Sequence, residues 1–337
     1  MTAVYEIMEL EGEEFYEGMV KKVVPFLKKK RQKGYFGSYD DTRIYYEAYV
    51  NEEEKASIVI VHGFCEFSHK YEEVIYNFFK EGYSVFIMDH RGHGFSARKV
   101  DDMSKVYVKS FDEYFEDVRV FTEKVVMPMS RTASMFMYAH SMGGAIGALV
   151  LEKYPELFKC AILSSPMFEI NFGKMSDRAV DFAAKASKIL RTGKKYAPGQ
   201  SAFDGTGREI ASDTGISKAR YDYFFQKRLN HKRYQTSGAT NSWSCAGIDA
   251  VKRIQENVEN VCVPVLLFQA GLDTVVKPGG QNLFAENTSF TELVVIEDSE
   301  HEIYNSNLEA RREYYKRIFD FYSSMGEINE KTEQQII

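Results

Sequence analysis

The stretch Met135-Phe-Met-Tyr-Ala-His-Ser-Met-Gly-Gly-Ala-Ile-Gly-Ala-Leu149 decides the fold. An apolar run leads into Ser141, Gly143 and Gly144 follow almost at once, and an apolar helical pattern begins after them. This is how a serine is set on a sharp turn between a buried strand and a helix, with its hydroxyl pushed into the open. The glycines belong there because a side chain on such crowded backbone would strike the neighbouring strand or helix. The pattern departs from G-x-S-x-G at its first position, where Ala139 stands. One methyl group is the smallest departure, and the turn survives it. Taken alone, the segment also reads as an ordinary strand-to-helix connection containing a serine. Its partners elsewhere in the chain decide between the two.

A serine hydroxyl is a weak nucleophile until a base takes its proton, and the base needs a third group to hold it. Chains built on this turn present them in the order serine, acid, histidine. Of the 7 histidines only His231 and His301 follow Ser141. His231 lies in the basic stretch Lys227-Arg-Leu-Asn-His-Lys-Arg233 and reads as a solvated surface residue. His301 follows the strand-like Leu293-Val-Val-Ile296 and the polar Glu297-Asp-Ser-Glu300. A loop just past a strand end suits a solvent-reachable base. The apolar run Val263-Pro-Val-Leu-Leu-Phe-Gln-Ala270 suits a central parallel strand buried on both faces. Asp273, in the Gly271-Leu-Asp273 that follows, is the expected orienting carboxylate. Its plainer reading is a turn residue capping the next segment. Asp298 is a weaker alternative, too near His301 in sequence to reach around the imidazole easily.

Acyl transfer also needs donors aimed at a developing oxyanion. Ala56-Ser-Ile-Val-Ile-Val61 reads as a buried strand and His62-Gly-Phe-Cys65 follows it, so the backbone amides of Phe64 and Met142 are the expected donors. Cys65 reads as a small pocket or core residue. In Asp89-His-Arg-Gly-His-Gly-Phe-Ser96 the two histidines and the aspartate resemble metal ligands on paper. Tight-turn glycines explain that spacing better, and no metal is expected.

With these pieces in place, the chain resembles the serine hydrolases of the α/β-hydrolase fold, and more narrowly their monoacylglycerol lipase and lysophospholipase branch. The residues that carry the likeness are His62-Gly-Phe64, Asp89 to Ser96, Ala139-His-Ser-Met-Gly-Gly144, Gly271-Leu-Asp273 and Ser299-Glu-His301. Ser165-Pro-Met-Phe168, Gly205-Thr-Gly-Arg208 and Ser237 to Trp243 add to it. Ala before His-Ser-Met-Gly-Gly is similar to bacterial lysophospholipase L2 proteins, so Ala139 looks like a branch feature. The likeness spans residues 33 to 322. It implies a mostly parallel central sheet with helices on both faces and a helical cap insertion. It also implies a single-chain lipid substrate, either lysophospholipid or monoacylglycerol, and no cofactor.

The 337 residues suffice for a large α/β domain with an insertion. Hydrophobic content of 44% and charged content of 27% fit a globular protein, and no run approaches a membrane span. The N-terminus lacks the basic start and apolar stretch of a secretory signal. The 4 cysteines are scattered and form neither a disulfide framework nor a zinc pattern, so a reducing cytoplasm is expected. Net charge is −6, but Asn171 to Gln235 carries 14 Lys+Arg against 6 Asp+Glu, or +8, which leaves −14 for the rest. No nucleic-acid motif accompanies this excess. An anionic lipid surface or a phosphate-bearing substrate explains it better, and a solvated helical surface is the bland alternative.

Residues 1–32 read as a charged, helical leader in which Met19 to Arg31 mixes apolar and basic residues and Pro25 limits a continuous helix. It either rests on an anionic membrane surface or packs on the core. Gly34–Tyr39 and Thr42–Val50 alternate as a hairpin turning at Asp40-Asp41. Strand and helix patterns then alternate, giving core segments 33–166 and 248–325. Between them, 167–247 reads as a helical cap with helices over Asp177–Leu190 and Ser217–Leu229. Residues 326–337 form a polar tail. A cap would build an apolar slot and exclude water. Met167, Phe168 and Trp243 are the expected lining residues; Phe182, Tyr221, Tyr223, Phe224 and Phe225 are further aromatics of the cap. Other readings are an esterase, thioesterase or peptidase on a non-lipid substrate, or a hydrolase-fold protein that binds without turnover.

Overall fold

A computed structural model describes residues 5–173, 190–210 and 215–334, with side chains as far as residue 326. The expected helix at 177–190, Phe182 included, lies outside the described residues apart from its last position. In chain order the strands are β1 (Arg31–Gly37), β2 (Arg43–Tyr49), β3 (Ser57–Val61), β4 (Ser84–Met88), β5 (Lys105–Val106), β6 (Met135–His140), β7 (Cys160–Ser164), β8 (Gly238–Ala239), β9 (Val265–Ala270) and β10 (Thr291–Ile296). Eight form one sheet in the order β1-β2-β4-β3-β6-β7-β9-β10, while β5 and β8 pair separately. β1 and β2 are antiparallel, β2 joins β4 antiparallel, and every pairing from β4 to β10 is parallel.

The continuous apolar strands follow from burial on two faces. In β3, Val59 and Val61 enter one apolar cluster while Ile58 and Ile60 enter the other. In β6 the same split sends Met137 and Ala139 one way, Phe136 and Tyr138 the other. The helices that cover these faces are α1 (Gly12–Gly18), α2 (Val24–Lys30), α3 (Glu72–Lys80), α4 (Asp112–Phe121), α5 (Met142–Lys153), α6 (Lys218–Asn230), α7 (Asn241–Glu256), α8 (Pro278–Asn287) and α9 (Leu308–Gln334).

The leader differs from its sequence reading at Pro25 and takes the second of its two expected placements, packing on the core. Pro25 does not interrupt it: Met19–Val23 winds as a π-turn, and the proline falls in the first turn of α2, where its missing N–H leaves no helical bond unmade. Its apolar stripe is not free for a membrane, because Phe15, Met19, Val23 and Leu27 are buried in the core. The hairpin forms as expected but starts at Arg31, because pairing of Arg31 with Tyr49 continues the ladder into the last residues of the basic run.

The described cap residues hold α6 and the short β8, which pairs with β5 of the core. The helix α7 runs unbroken through position 247. Much of the basic excess is spent on attachment. Arg220 Nη2 lies 2.8 Å from Glu73 Oε1 and Nη1 lies 2.6 Å from Glu11 Oε1. Lys227 pairs with Glu72. Arg311 of α9 reaches the same Glu73 at 2.6 Å, so one buried cluster ties leader, core and cap together.

Gly143 sets the closest approach to another stretch of backbone among the described glycines: a Cβ there would lie 2.0 Å from the carbonyl oxygen of Val61. Overpacking of this kind costs 1–3 kcal/mol, and backbone against backbone has no flexible partner to yield. Gly143→Ala is therefore expected to lower stability by about 3 kcal/mol or more in urea unfolding; an unchanged midpoint would show that α5 and β3 separate freely.

Candidate active site

Ser141 stands between β6 and α5 with φ 54° and ψ −118°, a conformation that side chains rarely adopt. Its amide donates to Ser164 O at 3.0 Å, and its carbonyl accepts from Met167 N at 2.9 Å. The end of β7 thus holds the turn in place. The methyl of Ala139 fits because α5 has Gly147 opposite it, where a Cβ would come within 3.2 Å.

The three residues expected to meet do so. Ser141 Oγ lies 2.8 Å from His301 Nε2, and His301 Nδ1 lies 2.7 Å from Asp273 Oδ2. Asp273 Oδ1 accepts the amides of Val275 and Val276 at 2.8 and 3.0 Å. Burial pushes the Asp273 carboxyl up, but the bond and charge of His301 and these amides outweigh it and hold it below its ordinary value. An ionised Asp273 fixes the proton on Nδ1 of His301, which leaves Nε2 free to accept from the serine hydroxyl. The acid and histidine loops are stitched together: Gly271 N donates to Ile296 O and Leu272 N to Ser299 O, both at 2.9 Å. Asp298 is exposed and takes no part, and His231 is exposed as expected.

Phe64 lines the same cavity as Ser141, and Met142 follows the serine as the first residue of α5. The amides beside Phe64 are engaged, Gly63 N with Glu66 Oε2 at 2.5 Å and Cys65 N with His93 Nε2 at 3.1 Å. Among the described residues the Phe64 amide meets no acceptor, and Met142, as the first residue of α5, has no intrahelical one. In the Asp89–Ser96 loop, His90 Nε2 lies 3.2 Å from His62 O and His93 Nε2 accepts the Cys65 amide at 3.1 Å, while His62 Nε2 accepts His90 N at 3.0 Å. Burial lowers the basicity of His62, His90 and His93, consistent with neutral rings that shape loops. Burial pushes the Cys65 thiol up to about 12, so it is no nucleophile at neutral pH.

Glu66 is the residue that sequence reading missed. It is 4% exposed, yet one carboxylate serves three loops. Oε2 accepts from Gly63 N and from Tyr71 at 2.5 Å and lies 3.4 Å from His140 Nδ1; Oε1 accepts from Lys70 at 2.7 Å and Tyr304 at 2.8 Å. His140 precedes the serine, and its other nitrogen lies 3.3 Å from His301 O. Burial alone would raise this carboxyl, but Lys70 and His140 hold it well below its ordinary value. Glu66 lies two residues past Phe64, and that was its only signal.

A cavity of about 400 Å³ opens onto Ser141. Phe64, Met167, Phe172, Trp243, Ile248 and Val276 supply its apolar walls, and among the described residues no carboxylate lines it. Met167 and Trp243 are where the sequence put them. Phe168 is not: it is fully buried and stacks on Phe284 of α8 at 4.6 Å, so it is core. Tyr221, Tyr223, Phe224 and Phe225 also lie outside this cavity; Tyr223 and Phe224 line a small void under the leader.

Residues 52–307 match the family described as serine aminopeptidase, S33. The chain belongs to this family. It is a hydrolase of the α/β-hydrolase fold. Among curated relatives, it is 26% identical to the probable lysophospholipase L2 of Haemophilus influenzae, over 91% of this chain and 96% of that one. It is 27% identical to the lysophospholipase L2 of Escherichia coli strain K12, over 88% of each. The crystal structure of Paleococcus ferrophilus monoacylglycerol lipase superposes with a TM-score of 0.64 at 19% identity, over 88% of this chain and 99% of that one, a likeness of fold.

Removing the charge that pins Gly63 should loosen the loop that carries the Phe64 amide, the expected oxyanion donor, while sparing the substrate slot. Glu66→Gln is expected to lower kcat on a nitrophenyl ester about tenfold or more with little change in KM. A change confined to KM would mean that Glu66 serves the substrate instead.

Proposed function

We propose that this hydrolase cleaves carboxylic esters of single-chain lipids, lysophospholipid or monoacylglycerol, through an acyl-enzyme. The observation that carries the reading is the unbroken Ser141–His301–Asp273 chain, at 2.8 and 2.7 Å, on the floor of an apolar cavity. Ser141 attacks the ester carbonyl while His301 takes its proton. Asp273 keeps the imidazole in the needed tautomer and stabilises its cation. The amides of Phe64 and Met142 hold the oxyanion, a role worth ~3–4 kcal/mol per donor in comparable sites. His301 then protonates the leaving alcohol, and water repeats the sequence to release the fatty acid. Every step uses side chains and amides of the chain itself, with no cofactor.

The lipid reading rests on the cavity walls and on the names of the lysophospholipase relatives. The family description names an aminopeptidase, and a peptidase of that kind needs an acid to hold the substrate amine. Among the described residues the cavity lining supplies none, which favours an acyl chain. The same reading has the enzyme meet its substrate at an anionic membrane surface in the cytoplasm, where exposed Tyr16 and Val20 stand beside Lys21 and Lys22.

Ser141→Ala is expected to abolish hydrolysis of lysophosphatidylcholine and monoacylglycerol, and labelling by a fluorophosphonate, while urea unfolding stays near wild type. Retained turnover in this variant rules out the nucleophile assignment. A wild-type enzyme that binds lipid yet neither turns it over nor takes the label is a binder.

A further inference from the structure

Two guanidiniums enter the seam between core and cap without a counter-charge. Arg98 follows the Asp89–Ser96 loop, and Arg228 lies on α6. Arg98 Nη1 donates to Gly92 O, and its Nη2 donates to Gly94 O at 3.3 Å, Arg233 O at 3.1 Å and Thr236 Oγ1 at 3.2 Å. Arg228 donates from Nε to Tyr234 O at 3.2 Å and from Nη2 to Thr236 O at 2.7 Å. Each acceptor is a carbonyl or a hydroxyl. Among the described residues neither arginine has a carboxylate within 4.0 Å. Both meet at Thr236, Arg98 at its hydroxyl and Arg228 at its carbonyl, and the Arg228 guanidinium also lies 4.6 Å over the Phe203 ring. Arg98 Nε is buried with no acceptor, and no acceptor faces Arg228 Nη1 among the described residues.

The rest of the molecule does not treat buried arginines this way. Arg91 is answered by Asp117, Asp40 and Glu113, and Arg220 and Arg311 by Glu73 and Glu11. Buried charges are normally paired because desolvation is costly. Burial and the neighbouring Arg233 press the Arg98 guanidinium down to about 10, a cost that an anion would relieve.

The pair also stands next to the chemistry. Arg98 grips the carbonyls on either side of His93, whose ring accepts the Cys65 amide and meets Phe64 edge-on at 6.0 Å. One residue layer separates the guanidinium from the loop that offers the oxyanion donor. A planar fork of N–H donors matches a phosphate, and two adjacent forks match it in charge.

We propose that Arg98 and Arg228 form an anion subsite for the phosphate of the substrate headgroup, which makes a lysophospholipid the preferred substrate over monoacylglycerol. This rests on the ester-hydrolase reading above. The missing counter-charge then arrives with the substrate.

The test compares palmitoyl lysophosphatidate with monopalmitoylglycerol in the same mixed micelles. In Arg228→Met and Arg98→Met the ratio of kcat/KM between the two lipids is expected to fall about tenfold or more against wild type, the scale of a lost bond to a charged group. A ratio that stays put while both rates fall marks the pair as a latch for the cap and overturns the proposal. Arg228→Lys, which keeps the charge, should recover part of the ratio. In the wild-type enzyme, inorganic phosphate should inhibit lysophosphatidate hydrolysis competitively and monopalmitoylglycerol hydrolysis less; this arm holds even if the variants do not fold. Equal inhibition of both points to a site for free phosphate, and no inhibition points to none; either overturns the headgroup assignment. Wild-type enzyme that cleaves neither lipid and takes no fluorophosphonate would instead end the ester-hydrolase reading, a separate failure.

Discussion

The contact between Gly143 and the carbonyl oxygen of Val61 sets the geometry on which the site depends. With no side chain at 143, the first turn of α5 drops against the end of β3. That drop forces Ser141 into its left-handed turn, and its strain is offset by bonds to Ser164 and Met167 at the end of β7. It also sets the two amides proposed to hold the oxyanion on elements that meet at this contact. The amide of Met142 comes from α5, and the amide of Phe64 comes from the loop that leaves β3. A wider gap between these elements would separate the hydroxyl from the groups able to stabilise the charge it creates.

Glu66 does for the loops what Gly143 does for the secondary structure. A buried carboxylate is costly unless its oxygens are fully used. Here five partners use them, and they come from the loop after β3, the turn at Lys70 and Tyr71, the residue before the serine and the segment after His301. Satisfying that one charge therefore requires these segments to be in place together. Lys70 answers it directly and is shared with Glu302.

Positive charge is used in two ways in the cap and its seam. Arg220 and Lys227 meet glutamates of the core and fasten the cap. Arg98 and Arg228 meet only neutral oxygen atoms. The excess of +8 in the sequence from Asn171 to Gln235 counts both kinds alike. Only the placement of partners separates charge that holds the fold from charge still open to a ligand.

The sequence by itself did not determine the short pair β5 and β8, but it determined the eight strands of the main sheet, the turn at Ser141, and the choice of His301 and Asp273. These depend on local signals: period, turn residues, and the order in which a strand is followed by a loop. A residue whose meaning depends on distant neighbours was not legible. Phe168 and Met167 are adjacent apolar residues, yet one stacks on Phe284 and the other lines the cavity. Pro25 looked like a break and sits in the first turn of α2. Glu66 carried no signal beyond its place two residues past Phe64. The tertiary structure decided these cases because burial and charge pairing are properties of what lies across the fold, and a linear pattern carries no record of that.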